Sequence, residues 1–121
     1  MKNTLRKLLL PVALAALVAA PAFGQATVES LQQNGITVAT ANEIPYGWVE
    51  NGQAFGIAPE VATAVLESMG ITDISWTVTE FGSLIPGLIA NRFDLVAASQ
   101  AVLPARCEQV NFSKINSSYG E

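Results

Sequence analysis

The chain has 121 residues with ten acidic and six basic side chains, and it contains no histidine. Residues 25–121 carry three basic against ten acidic side chains, a net charge of −7. This charge excludes a basic surface for nucleic acid. The lack of histidine removes the commonest general base and the commonest metal ligand. The sequence contains no glycine-rich phosphate loop and no metal-ligand cluster, so we predict neither a cofactor nor a metal.

Residues 1–24 have the pattern of a secretory signal peptide. A basic beginning is followed by an almost wholly apolar stretch over residues 8–20 and by the small residues Ala22 and Gly24. The apolar stretch is about 13 residues long, which is short of the roughly 20 that span a bilayer as a helix. We therefore predict cleavage before Gln25 and export of the mature chain. The rest of the chain is long enough for one small domain.

In chain order, apolar runs and turn signals predict strand, helix, strand, helix and strand. The predicted strands are 36–41, 74–79 and 94–98, and the helices between them are 59–70 and 83–90. Crossovers of helix length indicate an α/β fold, in which a parallel sheet has helices on its faces. The smaller predicted elements are a hairpin turn at 51–52, a short strand at 54–57, a helical turn at 104–108 and an extended piece at 110–112.

Both predicted helices have an apolar stripe at helical spacing, and we expect each stripe to be buried. Gly70 and Asn91 are expected to end the two helices. The stripe residues are Val61, Val65, Leu66 and Met69 in the first helix, and Leu84, Ile85, Leu88 and Ile89 in the second.

Polar and aromatic side chains follow the end of every predicted strand. Glu43 and Tyr46 follow the first strand, Phe81 follows the second, and Ser99 and Arg106 follow the third. In open α/β sheets, ligands bind outside the carboxyl ends of the strands. We therefore predict that these five residues form one ligand site at one edge of the sheet.

The residue types at this edge suit a small zwitterion. The Arg106 guanidinium can hold a carboxylate through two parallel hydrogen bonds, and the Ser99 hydroxyl can donate to the same carboxylate. Glu43 supplies the complementary negative charge. The rings of Tyr46 and Phe81 offer faces to a flat cation.

The residues alone also leave ordinary structural interpretations open. Arg106 also suits a surface charge or a partner of Glu108, and Glu43 also suits an exposed loop residue. The two aromatic rings suit a core, and Ser99 suits the start of a turn. Catalysis has little support, because Cys107 has no basic neighbour other than an arginine to activate it.

Residues 30–118 resemble the N-terminal lobe of bacterial extracellular solute-binding proteins, the family that serves polar amino acid ABC importers. The resemblance implies a periplasmic binding protein fold, with residues 25–121 as an incomplete N-terminal lobe. It implies that Phe81 stacks on the ligand and that Arg106 grips its α-carboxylate. The motifs that carry it are Glu80-Phe81-Gly82-Ser83-Leu84-Ile85-Pro86-Gly87-Leu88, Asp94, Pro104-Ala105-Arg106 and Val110-Asn111-Phe112-Ser113.

Within this family, the chain looks most like the branch that binds ectoine and hydroxyectoine. Asn42-Glu43-Ile44-Pro45-Tyr46 is similar to the Asn-Glu-x-Pro-aromatic form of that branch, and residues 56–61 and Arg106-Cys107 also match. Ectoine is a flat ring with a delocalised amidinium and a carboxylate, so Glu43 is expected to pair with the amidinium. The branch carries a further aromatic residue where this chain has Ala101.

The resemblance implies a monomeric, non-enzymatic binding component of an ABC importer, which captures ectoine or 5-hydroxyectoine and passes it to a membrane permease. A binder of polar amino acids is the alternative. The same lobe also occurs in dehydratases, in lytic transglycosylases and in sensor ectodomains. An enzyme would need a catalytic carboxylate in the cleft or an appended domain, and a sensor would need a downstream transmembrane helix.

Overall fold

The computed structural model describes residues 26–114. The predicted signal peptide over residues 1–24 lies outside them and stays a prediction. In chain order the elements are α1 (Val28–Asn34), β1 (Ile36–Thr40), β2 (Trp48–Glu50), β3 (Gln53–Phe55), α2 (Ile57–Ser68), β4 (Ile74–Val78), a 3-10 turn (Phe81–Ser83), α3 (Leu84–Ile89), β5 (Leu95–Val96) and α4 (Pro104–Cys107).

The strand β1 lies in the middle of a three-stranded parallel sheet with the order β4-β1-β5. Its register with β4 runs from Ile36 opposite Ile74 to Thr40 opposite Val78. Most of β1 is buried, as is typical of a parallel strand that is covered on both faces. The strands β2 and β3 form a separate antiparallel hairpin. The predicted α/β fold with a parallel sheet flanked by helices is confirmed.

Two apolar clusters cover the opposite faces of the sheet. Successive side chains of a strand point to opposite faces, so Val38 joins one cluster and the adjacent Ala39 joins the other. The cluster under α2 consists of Ile36, Val38, Ala58, Leu66, Ile71 and Ala97. The cluster under α3 consists of Ala39, Ala41, Leu84, Phe93 and Ala98.

The predicted apolar stripe of α2 is wrong in part. Val65 is 52% exposed and Met69 is 40% exposed. Leu66 of the predicted stripe is buried, and it packs on the sheet together with Ala58 and Ala62, at a spacing of four residues. Larger valines form a stronger apolar signal in the sequence, but the small alanines let the helix lie close to the strands.

Both helix ends follow the predicted residues. Gly70, the residue after the C-cap Met69 of α2, has a φ of +77°, and its N–H donates to the Glu67 carbonyl at 2.9 Å. The next N–H, that of the buried Ile71, donates to the Leu66 carbonyl at 2.9 Å. This is the Schellman arrangement. Asn91, with a φ of +53°, ends α3 in the same way.

The predicted helix 83–90 is confirmed as α3, preceded by one turn of 3-10 helix. Of its predicted stripe, Leu84 is fully buried and Ile85 is also buried. Leu88 is half-buried, while Ile89 is 55% exposed. The helix therefore contacts the sheet mainly through its first turn.

The third predicted strand is shorter than expected, because β5 contains only two residues. The backbone N–H of Asp94 donates to the Thr37 carbonyl at 2.9 Å, and its carboxylate oxygen Oδ2 accepts from the Thr37 N–H at 2.9 Å. A side chain thus takes the place of a backbone acceptor at this end of the strand. The piece predicted over 110–112 is not a strand.

No sequence pattern considered above predicts α1. Its N-cap residue, Thr27, accepts the Ser30 N–H through its side-chain oxygen at 3.2 Å. Hydrogen bonds from the backbone and from Thr27 lower the pKa of Glu29 in the first turn. Leu31 packs against the cluster under α2. Across residues 26–114, helices are all too short or too polar to cross a membrane.

We expect Leu84→Ala to destabilise the protein by about 2–5 kcal/mol, because it leaves a cavity in the cluster under α3. Ile89→Ala removes side-chain atoms from the exposed side of the same helix and should change stability by less than about 0.5 kcal/mol. Urea denaturation of both variants measures the difference. Equal losses would mean that α3 packs on the sheet through a different face.

Candidate functional site

The loop after β1 closes on itself beside the carboxyl end of that strand. The Glu43 N–H donates to the Gly47 carbonyl at 2.8 Å, and the Gly47 N–H donates back to the Glu43 carbonyl at 3.0 Å. The Tyr46 N–H donates to the same Glu43 carbonyl at 2.7 Å, and the peptide between Ile44 and Pro45 is cis. The loop holds Glu43 exposed and Tyr46 half-buried.

The same loop is attached to the beginning of α2. The N–H of Ile57 donates to the Pro45 carbonyl at 3.2 Å, and the N–H of Ala58 donates to the Tyr46 carbonyl at 3.1 Å. The first amides of a helix have no partner within the helix, and here the loop carbonyls satisfy two of them. The position of Glu43 and Tyr46 is therefore set by the start of α2.

Two glycines allow this close approach. Gly56 has a φ of +105°, and a Cβ there would lie 2.8 Å from the Pro45 carbonyl oxygen and 2.9 Å from the Gly47 Cα. A Cβ on Gly47 would collide with the Thr40 hydroxyl oxygen. A side chain at position 56 would push the loop away from the start of α2, and one at position 47 would push it away from β1.

Arg106 and Phe81 are in direct contact. The Arg106 guanidinium carbon lies over the Phe81 ring, 5.6 Å from its centroid, within the range of a cation–π interaction. The Arg106 Nη1 atom donates to the Ala101 backbone carbonyl at 3.0 Å. Arg106 lies in α4, whose predicted turn is confirmed, and its side chain is half-buried. The guanidinium is thus held from two sides.

Ser99 lies half-buried in the turn that leaves β5. Its φ is +48°, in the left-handed region that a serine adopts less readily than glycine or asparagine. The preceding Ala97 and Ala98 are buried in the two apolar clusters. Donation from the Ser99 hydroxyl to a ligand stays a prediction.

The parallel sheet places all five predicted residues after the carboxyl ends of its strands. Phe81 and Arg106 touch, while Glu43, Tyr46 and Ser99 occupy the loops of the adjoining strands. The same edge of the sheet thus carries the Arg106 guanidinium on the Phe81 ring and, in the loop after β1, the Glu43 carboxylate. Sequence reasoning missed the Ala101 carbonyl, because a backbone acceptor leaves no side-chain signal.

An open groove of the described region lies away from these five residues. It has a volume of about 470 Å³ and runs between the β2–β3 hairpin and α2, and Phe55, Thr63 and Glu67 are among its lining residues. None of the five predicted residues lines it. Within residues 26–114, no three His, Cys, Asp or Glu side chains lie close enough together to hold a metal.

Residues 36–121 match the family model of bacterial extracellular solute-binding proteins, family 3. The chain is 50% identical over 113 residues to the probable amino-acid ABC transporter periplasmic-binding protein y4tE of Sinorhizobium fredii. That match covers 90% of this chain, and the chain spans 38% of the length of that relative.

The solved structures that are similar to this chain include two with named ligands. EhuB in complex with hydroxyectoine is 36% identical with a TM-score of 0.67, and the match covers 71% of this chain and 34% of EhuB. An arginine-specific periplasmic binding protein of Salmonella typhimurium is 34% identical with a TM-score of 0.59. Here the match covers 65% of this chain and 36% of the other.

We expect Gly56→Ala to separate the loop from α2 and to expose the Ile57 and Ala58 amides to faster hydrogen exchange. Gly52→Ala is the matched control, because Gly52 also has a positive φ, +78°, but a Cβ there meets no atom within 4 Å. Backbone strain should lower the unfolding free energy of the control by about 1–2 kcal/mol. In Gly56→Ala, overpacking should lower it by a further 1–3 kcal/mol, roughly.

Hydrogen exchange followed by NMR distinguishes the two variants. Unchanged protection of the Ile57 and Ala58 amides in Gly56→Ala would show that the loop does not depend on this close approach.

Proposed function

Since the chain belongs to the bacterial extracellular solute-binding proteins of family 3, we propose that it binds ectoine or 5-hydroxyectoine for an ABC importer. The observation that carries the proposal is the Arg106 guanidinium held over the Phe81 ring at the sheet edge where Glu43 also lies. This edge offers a cation, a ring face and an anion. A small, flat zwitterion presents the complementary groups.

Each group of ectoine has a partner in this proposal. Arg106 binds the carboxylate through parallel hydrogen bonds, and Ser99 donates to the same group. The Phe81 ring packs partly on the cluster under α3, and its accessible part stacks on the ligand ring beside the Arg106 guanidinium. Tyr46 adds a second ring, and Glu43 pairs with the amidinium. The 36% identical EhuB, solved with hydroxyectoine, supports this ligand class.

The proposal extends to the location and partners of the protein. The 50% identical relative is named as a periplasmic-binding protein of an ABC transporter. In line with that name, the protein acts in the periplasm and delivers its ligand to a membrane permease. A signal peptide over residues 1–24 exports it, and it acts as a monomer. The chain spans 38% of the length of that relative, and in this proposal residues 25–121 form an incomplete N-terminal lobe of a two-lobed protein. All named roles of the site residues are in binding, not in catalysis.

A polar amino acid is the second candidate ligand. Two observations favour it: the 50% identical relative is named for amino acids, and the Salmonella typhimurium protein is named for arginine. An α-amino acid also presents a carboxylate to Arg106 and a cation to Glu43. Ala101, where the ectoine-binding branch has an aromatic residue, leaves more room for such a ligand.

Titration calorimetry of the full-length protein with ectoine, hydroxyectoine, glycine betaine and L-arginine tests the proposal. We expect ectoine or hydroxyectoine to bind with a Kd of about 1 μM or tighter, equivalent to about −8 kcal/mol. No heat with either, together with tight binding of L-arginine, would replace the ectoine function with the amino acid function. No heat with any of the four solutes would contradict both.

We expect Glu43→Gln to weaken ectoine binding by roughly 10- to 100-fold, because it removes a charge-assisted hydrogen bond to the amidinium while keeping the side-chain size. Glu50→Gln is the matched control, since Glu50 is an exposed glutamate at the end of β2. The control should leave the ectoine Kd unchanged in calorimetry. An equal effect of both substitutions would contradict the role of Glu43.

A further inference from the structure

Ser99 has a left-handed backbone, with a φ of +48°, that its residue type does not favour. Residues 26–114 contain three non-glycine residues with positive φ: Asn51, Asn91 and Ser99. The two asparagines are the residue type that tolerates this conformation, and they end a hairpin strand and a helix. Serine tolerates this conformation less readily than asparagine does. Ser99 also lies beyond the end of β5 and is not the residue that ends the strand. Backbone outliers of this kind are concentrated where a functional geometry requires them.

The turn at Ser99 leads directly to the carbonyl that holds Arg106. The chain before the turn is fixed, because Ala97 and Ala98 are buried and the Ala97 N–H donates to the Ala39 carbonyl at 2.8 Å. Two residues after the turn, the Ala101 carbonyl accepts from Arg106 Nη1 at 3.0 Å. The direction of the chain at Ser99 therefore decides where this carbonyl lies.

The other side of the contact is fixed independently. The Arg106 N–H donates to the Leu103 carbonyl at 2.9 Å in the short helix α4, and the Phe81 ring lies 5.6 Å from the guanidinium carbon. A long arginine side chain has many rotamers, and fixing one before the ligand arrives reduces the entropy lost on binding. The Ala101 carbonyl supplies the directional part of this constraint.

We infer that Ser99 is a positioning residue, whose left-handed backbone places the Ala101 carbonyl so that Arg106 is oriented for a carboxylate before the ligand binds. The identity of the ligand in this inference rests on the proposed function. The Arg106 contact with the Ala101 carbonyl does not, because both groups belong to this chain. When residue 99 disfavours the left-handed region, the turn relaxes in the free protein. The ligand must then select the fraction with the carbonyl in place, and the apparent affinity falls by that fraction.

The test compares Ser99→Gly with Ser99→Ala, because both remove the hydroxyl but only glycine favours a positive φ. We expect Ser99→Ala to bind ectoine at least about fivefold more weakly than Ser99→Gly. The matched pair is Asn91→Gly and Asn91→Ala, which imposes the same backbone difference at the end of α3. That pair should differ in unfolding free energy but not in ectoine Kd.

Crystal structures of the two Ser99 variants provide a readout that needs no ligand. The distance from Arg106 Nη1 to the Ala101 carbonyl oxygen should stay near 3.0 Å in Ser99→Gly and exceed about 3.5 Å in Ser99→Ala. Equal Kd values for the two Ser99 variants, with the contact intact in both, would overturn the inference. If the unmodified protein binds L-arginine in place of ectoine, the Kd comparison uses L-arginine. If it binds neither, the proposed function fails while this distance still decides the inference.

Discussion

The parallel pairing of β1 with both of its neighbours is the constraint on which the rest of the structure depends. Because most of β1 is buried, a shift by one residue would exchange the side chains of its two faces. Parallel strands also need long crossovers, and here these carry α2 and α3 to opposite faces. The same pairing that builds the two apolar clusters therefore brings three carboxyl ends to one edge of the sheet.

Backbone hydrogen bonds fix the loops at this edge. The carbonyls of Pro45 and Tyr46 are attached to the start of α2, and the carbonyl of Ala101 holds the Arg106 guanidinium. The charged side chains remain exposed or half-buried on this frame. Their chemistry can consequently change without disturbing the apolar clusters. Solved structures similar to this fold are named for solutes as different as hydroxyectoine and arginine.

Prediction from the sequence succeeded where the physical cause is local. Gly70 and Asn91 end helices because of their own backbone preferences, and both positions are confirmed. For the stripe of α2 it was correct for Leu66 and wrong for Val65, because Ala58 and Ala62 pack on the sheet beside Leu66. It also overestimated β5, where the Asp94 carboxylate replaces a backbone acceptor.

The sequence by itself determined the order of the three parallel strands and the two helices between them, the acidic balance, and the residue types that follow each strand, because these depend on neighbouring residues and on composition. Only the tertiary structure decided that Arg106 lies on Phe81, and that the Ala101 carbonyl and the start of α2 hold the loops of the site. These contacts join different elements or use backbone atoms that every residue possesses. A side-chain pattern along the chain therefore carries no signal for them.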